Sequence, residues 1–517
     1  MSTPTPGTPE PFPSHATNFG AGTPTPGTPA IDQPAPAPRR GRTAALVGGI
    51  LAIVAVGAGG AYAFAQAGGG GAGPESVMPA NTLAFAKVDL DPSAGQKLDA
   101  IRFIRKFPAA QGVVKEDSDL RKVIFKGIQD DGQLKDVDYA KDVEPWLGQR
   151  IGFGAVPGAS ADAEPTPVIA LAVTDEGKAE AALPKVAKAA GGECQLLEEY
   201  ALCTEGSGKL DGIVSAAKKG SLADSANFTK DMGDLGEDGI ASAWFDAKQL
   251  GEAAKSLTPG SVLGLSPSGV APATSGRVAM ALRFDGAHLE LAGHSNGSPL
   301  SFAGTDKGTD IANLPKGTLA AVGVANAGAQ LKAAWPSIET ALKGAAGEQE
   351  FADGLAQAQD ALGVKLPDDL YAALGSQFSV VFGGLGEGQS DFRIAAVTNG
   401  DKAVLQKLAD AAGQGMGAGG LTLKSGDDRT IVSLSDGYAD EVAKGTGLGD
   451  TAGFRDAVKD ADSARVAGYV DIAGLVAAFK DEMGADEAKN LSGLSALGFT
   501  VSGEGNSADF SLRLTTK

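Results

Sequence analysis

The second half of the chain from residue 78 onward repeats the first. Residues 78–90 (MPANTLAFAKVDL) return as 314–326 (LPKGTLAAVGVAN), and 142–154 (DVEPWLGQRIGFG) return as 369–381 (DLYAALGSQFSVV). Residues 167–191 match 392–413, and 221–250 match 447–475, in the same order in both copies. A repeat of this length means one structural unit made twice, so each element assigned in one copy must have a counterpart in the other.

Each copy mixes strands and helices. Ile151 to Val156 and Val168 to Val173 are apolar runs bounded by Gly, Pro and a polar loop, the form of buried hairpin strands. Thr174 and Asp175 then open an Ala- and Lys-rich helix, with Asn399 serving that position in the second copy. ASAWFD and VAGYVD each end on an acid, Asp246 and Asp471, placed to cap the next helix, and Gln249 completes a box-like cap in the first. The expected class is α+β: one transmembrane helix followed by a duplicated mixed strand/helix ectodomain, copy 1 at 78–300 and copy 2 at 301–517. Residues 296–307, rich in Gly, Ser and Thr and without periodicity, read as the joint. Copies of this kind leave open sheet edges or an apolar face, and packing on one another is the simplest cover.

The first 77 residues differ in kind. Eleven of the 27 prolines precede residue 39 and TPTPGTP occurs twice, so 1–43 reads as a disordered Pro/Thr-rich cytoplasmic tail, a spacer with exposed Thr-Pro sites. Residues 44–67 hold no charge, and 44–66 is expected to be a transmembrane helix, being longer than the roughly 20 residues that cross a bilayer. Arg39, Arg40 and Arg42 precede it and the first basic residue after it is Lys87, which points the N-terminus to the cytoplasm and the bulk outside. A cleavable signal peptide, with Ala63-Phe64-Ala65 as its cleavage site, is the competing reading, disfavoured by the length of the tail and of the apolar run. Residues 67–77 read as a Gly-rich linker.

Residues 1–43 carry three of the 44 basic and two of the 63 acidic residues, leaving 41 against 61 beyond them, a net charge of −20. Such a surface repels phosphate backbones, so nucleic acid is excluded as a partner.

At MPANTLAFAKVDLD, YAKDVEPWLGQRIGFG (139–154), VTDEGKAEAAL and SLADSANF the chain resembles an actinobacterial family of single-pass membrane proteins known as domain of unknown function 3352. The resemblance runs from Pro74 to the C-terminus. It implies an anchored extracytoplasmic protein and brings no catalytic residues with it. Copy 2 has Ala372 and Ala373 where copy 1 has Pro145 and Trp146, so those two do not form a symmetric pair of sites.

Motifs with chemical content are few. Cys194 and Cys203 bracket QLLEEYAL, and a two-residue turn at Glu198-Glu199 places them opposite one another on neighbouring strands. In an oxidising compartment they should form a disulfide, a staple rather than a redox pair, because the close CxxC spacing is absent and copy 2 has no cysteine. His288, Glu290 and His294 share one strand face, which reads as an exposed polar face because no further metal ligand is near in sequence. Ser215 and Lys218 match the SxxK form of penicillin-recognising enzymes, but SDN and KTG are missing. The acidic runs Asp130-Asp131 and Asp136 to Asp138 lack the ligand order of a calcium loop.

No catalytic, cofactor-binding or metal-binding residue is therefore assigned, and no cofactor is expected. The expected function is a membrane-anchored extracytoplasmic binding or scaffolding protein of the cell envelope, not an enzyme. Its expected partners are the lipid bilayer, through the transmembrane helix, and an envelope protein. The alternatives are an envelope hydrolase or an apolar-ligand carrier whose site is not motif-like.

Overall fold

The computed structural model describes residues 71–517 except for 108–118, 131, 133, 159, 161–162, 254–275, 298–306, 387–391, 417–420, 427 and 480–482. The chain folds as a mixed helix and strand structure with a large antiparallel sheet.

Copy 1 supplies β1 (Ala84–Asp89), β2 (Leu147–Val156), β3 (Thr166–Val173), β4 (Gly192–Leu197), β5 (Tyr200–Glu205), β6 (Ala241–Asp246), β7 (Arg277–Asp285) and β8 (His288–Asn296). Copy 2 supplies β9 (Ala320–Ala325), β10 (Gln377–Leu385), β11 (Phe392–Thr398), β12 (Thr422–Ser425), β13 (Thr430–Ser433), β14 (Val466–Val470), β15 (Leu494–Glu504) and β16 (Ser507–Thr516). Among the described residues all sixteen form one sheet, in the order β12-β13-β11-β10-β9-β14-β15-β16-β8-β7-β6-β1-β2-β3-β5-β4. Adding eight to each strand of copy 1 gives copy 2, and the copies meet edge to edge at β8 and β16 instead of packing face to face.

The ladders align the copies residue by residue. Trp244 pairs with Phe85 and Tyr469 with Ala321, while Phe85 pairs with Gly154 and Ala321 with Val381. The repeat reaches single bridges, Pro79 to Ser221 in copy 1 and Pro315 to Gly447 in copy 2. Phe153 and Val380 are thus equivalent, as are Trp244 and Tyr469. On β3 the equivalent of Ala395 is Val168, and Leu171 corresponds to Thr398.

Alternation drives the burial. In β6 (ASAWFD) every second residue is buried, which sends Trp244 to the helix-covered face. There it meets Phe228 edge-on at 5.7 Å, and Phe228 meets Phe85 at 5.8 Å. Phe454 and Tyr469 repeat this contact in copy 2 at 5.3 Å. The helix Leu210–Lys219 turns Leu210, Ile213, Val214 and Ala217 inward, the spacing of one helical face. Each large side chain buried in this way contributes about 1.5–3 kcal/mol. On the opposite face Val322, Val380 and Leu512 remain 45%, 42% and 40% exposed.

Asp246 and Asp471 accept the backbone N–H of Gln249 and Gly474 at 2.9 and 2.8 Å. Gln249 bonds the Asp246 carboxylate and not the cap backbone, so the box is not closed. Asp175 opens its helix by accepting from Lys178. Its counterpart is Asp401, which accepts from Ala403 and Val404, whereas Asn399 holds Ser376 and Gln377.

The expected transmembrane helix requires correction. No helix among the described residues is long and apolar enough to cross a membrane. The longest of these, Ala327–Ala346, has 20 residues but carries Lys332, Glu339 and Lys343, whose burial in hydrocarbon is costly. The segment 44–66 that reads as the span, the tail 1–43 and the linker up to residue 70 lie outside the described residues. The single-pass membrane reading, and with it the bilayer as a partner, is not retained.

Candidate functional site

Two of the clefts among the described residues open on the face of the sheet that carries Phe85 and Trp244, while the helices Ala94–Ile104 and Glu176–Ala190 pack on the other face. The larger, about 250 Å³, lies in copy 1 between the segment 71–75 and strands β1, β2 and β6. Lys87, Asp89, Arg150 and Ser242 all point to this face because their positions share the parity of Phe85 and Trp244. Pro74 sits directly over Gly152, where a Cβ would lie 2.5 Å from the proline ring. Gly73 leaves room for the Glu75 carboxylate, whose oxygens lie 2.3 and 2.5 Å from where a Cβ would stand.

The charges of this cleft are interlocked. Lys87 Nζ lies 3.2 Å from Glu75 and 2.6 Å from Asp238. Arg150 reaches Asp89 at 3.2 Å and the carbonyl of Gly71 at 2.8 Å. Tyr200 donates to the carbonyl of Ala72 at 2.9 Å, so the strand-preceding segment is tied down at several points. Burial acts to lower the Lys87 pKa, but Glu75 and Asp238 outweigh it and hold the ammonium above the usual lysine range. Burial pushes the Tyr200 phenol up to about 12. Two polar atoms of the cleft, Glu75 Oε2 and Ser242 Oγ, are buried and have no hydrogen-bond partner among the described residues, and Ser242 as a whole is 5% exposed.

Copy 2 has closed the equivalent space. By the same ladders Ile311 stands where copy 1 has Glu75, Gly323 for Lys87, Ala325 for Asp89, Gln377 for Arg150 and Ala467 for Ser242. Ile311 is fully buried, and a Cβ on Gly323 would lie 2.3 Å from its Cγ2. An apolar side chain and a missing one have replaced the ion pair.

The second cleft, about 150 Å³, straddles the join of the two copies and is lined by Asp234, Arg283, Glu290, Lys459, Thr500, Asp509 and Ser511 among others. Here the His288–Glu290–His294 face proves to be covered, not exposed. Glu290 is 2% exposed, accepts from Arg283 at 2.8 Å and from Ser511 at 2.8 Å. Burial would raise its pKa, yet the Arg283 and Ser511 contacts hold it below the usual carboxylate range. His294 places Nδ1 2.7 Å from Asp509 and Nε2 3.4 Å from Asp234. His288 accepts the backbone N–H of Thr516, and the three residues do not converge. Among the described residues no group of three or more His, Cys, Asp or Glu could hold a metal ion.

Cys194 and Cys203 face each other across β4 and β5 and are joined by a disulfide, with Glu198 and Glu199 at the turn. Ser215 and Lys218 lie exposed on the helix Leu210–Lys219. Trp146 is 1% exposed and donates to the carbonyl of Asp142 at 2.7 Å, a core residue whose place copy 2 gives to Ala373. The sequence motifs did not single out Glu75, Asp238 or Ser242, which come from three separate segments with no shared spacing. The only signal was their divergence from Ile311 and Ala467 between otherwise matching blocks.

The model of a family described as "Protein of unknown function (DUF3352)" matches residues 46–203, a stretch that includes Glu75, Lys87, Arg150 and both cysteines. This supports the resemblance to that family over those residues. No curated protein matches the chain. Among solved structures, crystal form III of TP0453 is 8% identical with a TM-score of 0.24, covering 45% of this chain and 83% of that one. Crystal form I of TP0453 is 9% identical with a TM-score of 0.21, covering 46% and 81%.

Proposed function

We propose that the chain is an extracytoplasmic binding or scaffolding protein of the cell envelope and not an enzyme, and that the copy 1 cleft is where it binds. The observation carrying this reading is the asymmetry between the copies: one keeps a charged, open cleft at the position the other fills with Ile311. The cleft's two cations are each held by its carboxylates, and Ser242, its hydroxyl nucleophile, has no base in hydrogen-bond reach among the described residues. Export is supported by the Cys194–Cys203 disulfide, a bond that persists in oxidising compartments. The charged lining favours a polar ligand over an apolar one.

A thermal-shift screen of the full chain against small metabolites tests this. Stabilising hits should disappear in Ser242→Leu, whose side chain fills the cleft, while that variant keeps the native circular dichroism. Hits unaffected by the filling, or none at all, would refute the assignment. Cysteines trapped as free thiols in intact cells would refute export.

A further inference from the structure

We propose that the copy 1 cleft selects a small molecule bearing an ammonium group, which donates to Glu75 Oε2 and neutralises the cleft; this rests on the binding function proposed above. Among the described residues lining the cleft, three carboxylates, Glu75, Asp89 and Asp238, face two cations, Lys87 and Arg150, a surplus of one negative charge. Glu75 has one oxygen bonded to Lys87 and the other buried with no partner among the described residues. An ionised carboxylate only accepts, so the missing partner is a donor. Ser242 Oγ, on the lining of the same cleft and also unpartnered among the described residues, can accept a further N–H from the ligand. A neutral hydroxyl would satisfy one of these atoms and leave the charge, while an anion would meet the surplus carboxylate and repel it.

The size of the cleft, about 250 Å³, suits a small molecule and lies just below the range of drug-sized pockets. The built-in position of the carboxylate matters as much as its charge. Gly73 is what allows Glu75 to fold back against its own backbone, since any Cβ there would displace both carboxylate oxygens. Where copy 2 has Ile311 and Gly323 in place of Glu75 and Lys87, the acceptor and the space are both gone. Copy 2 therefore serves as an internal control: the same sheet without the site.

Propylammonium, 1-propanol and propionate have nearly the same size and differ in the polar group, so titrating each into the full chain at fixed ionic strength, followed by ligand-observed NMR, isolates the chemistry. Propylammonium should bind one-to-one, in roughly the millimolar range its few atoms allow. Glu75→Gln and Gly73→Ala should each weaken it roughly tenfold or more, the worth of one charge-assisted hydrogen bond, and Ser242→Ala by less. Glu198→Gln, on the exposed hairpin turn, should leave it unchanged. Should Glu75→Gln fail to fold, Ser242→Ala, which removes an unpaired buried hydroxyl, still reads the site. Binding of propanol or propionate as tight as propylammonium, or propylammonium binding insensitive to Glu75, overturns the ammonium assignment while the binding function stands. If neither these probes nor any metabolite binds at the cleft, its unpartnered atoms are hydrated members of an ion-pair cluster and both proposals fall.

Discussion

Asp231 shows how much can rest on one carboxylate. It is 1% exposed and accepts from Trp244 Nε1 at 2.9 Å, from Asn296 at 2.7 Å and from Arg277 at 2.7 and 3.2 Å. It thereby ties the helix Ala226–Leu235 to β6, β7 and β8. Burial alone would raise its pKa, but Arg277, Trp244 and Asn296 hold it below the usual aspartate range. Asp231→Ala should cost about 3–5 kcal/mol, because Arg277 is left without its buried partner. The sign of the pH dependence follows from the same shift. A carboxylate whose folded pKa is depressed contributes stability that is present above the unfolded value and lost as pH falls through the folded one. With Glu290 depressed as well, urea midpoints should hold steady above about pH 5 and fall below about pH 4, and Asp231→Asn should flatten the acid limb. None of this was legible in the sequence: Asp231 is one acid among 63, and copy 2 has Ala457 at its position.

Single elements were more legible than the contacts between them. The hairpin β4–β5 follows from a polar two-residue turn between apolar runs, and the caps Asp246 and Asp471 from an acid that ends a strand before a helix. The assignment of Asn399 as a cap failed because Asn and Asp both serve that role, and which of them caps depends on where β11 ends relative to β10. The His288–Glu290–His294 face was read as exposed because the strand pattern shows which residues share a side, not what pairs beside them. β16 and the helix Ala226–Leu235, distant in sequence, cover that side. At this scale the disulfide makes a direct prediction. Closing so short a loop stabilises by about 2–3 kcal/mol, so Cys203→Ser should lower the unfolding free energy by that amount in chemical denaturation while leaving the fold intact. A larger loss would mean that the edge strand β4 depends on the bond to stay in the sheet.

Across the molecule the duplication was plain in the sequence, while the way the copies join was not, since strand pairing carries no sequence spacing. The join is antiparallel, with Glu290 opposite Arg513, Ala292 opposite Ser511 and His294 opposite Asp509. By the ladders of β7–β8 and β15–β16, Glu290 is the counterpart of Asp509, His294 of Arg513 and Ala292 of Ser511. The two outer pairs are therefore exchanged by a local twofold axis through the middle one. Such an arrangement is isologous, the kind by which identical subunits associate. A β8 strand meeting a second β8 in this register sets Glu290 against His294, and a β16 meeting another β16 sets Asp509 against Arg513. Opposite charges face each other in the β16 pair, and a carboxylate faces an imidazole that can donate to it in the β8 pair. Residues 71–297 produced alone should accordingly form a concentration-dependent dimer by analytical ultracentrifugation, and Glu290→Lys should dissociate it; a strictly monomeric half would argue against the symmetry. In evolutionary terms, the chain reads as a homodimer of a half-length ancestor fused into one polypeptide. Two products of a single gene paired in this way would carry two identical clefts, whereas the joined halves carry one open cleft and one filled by Ile311.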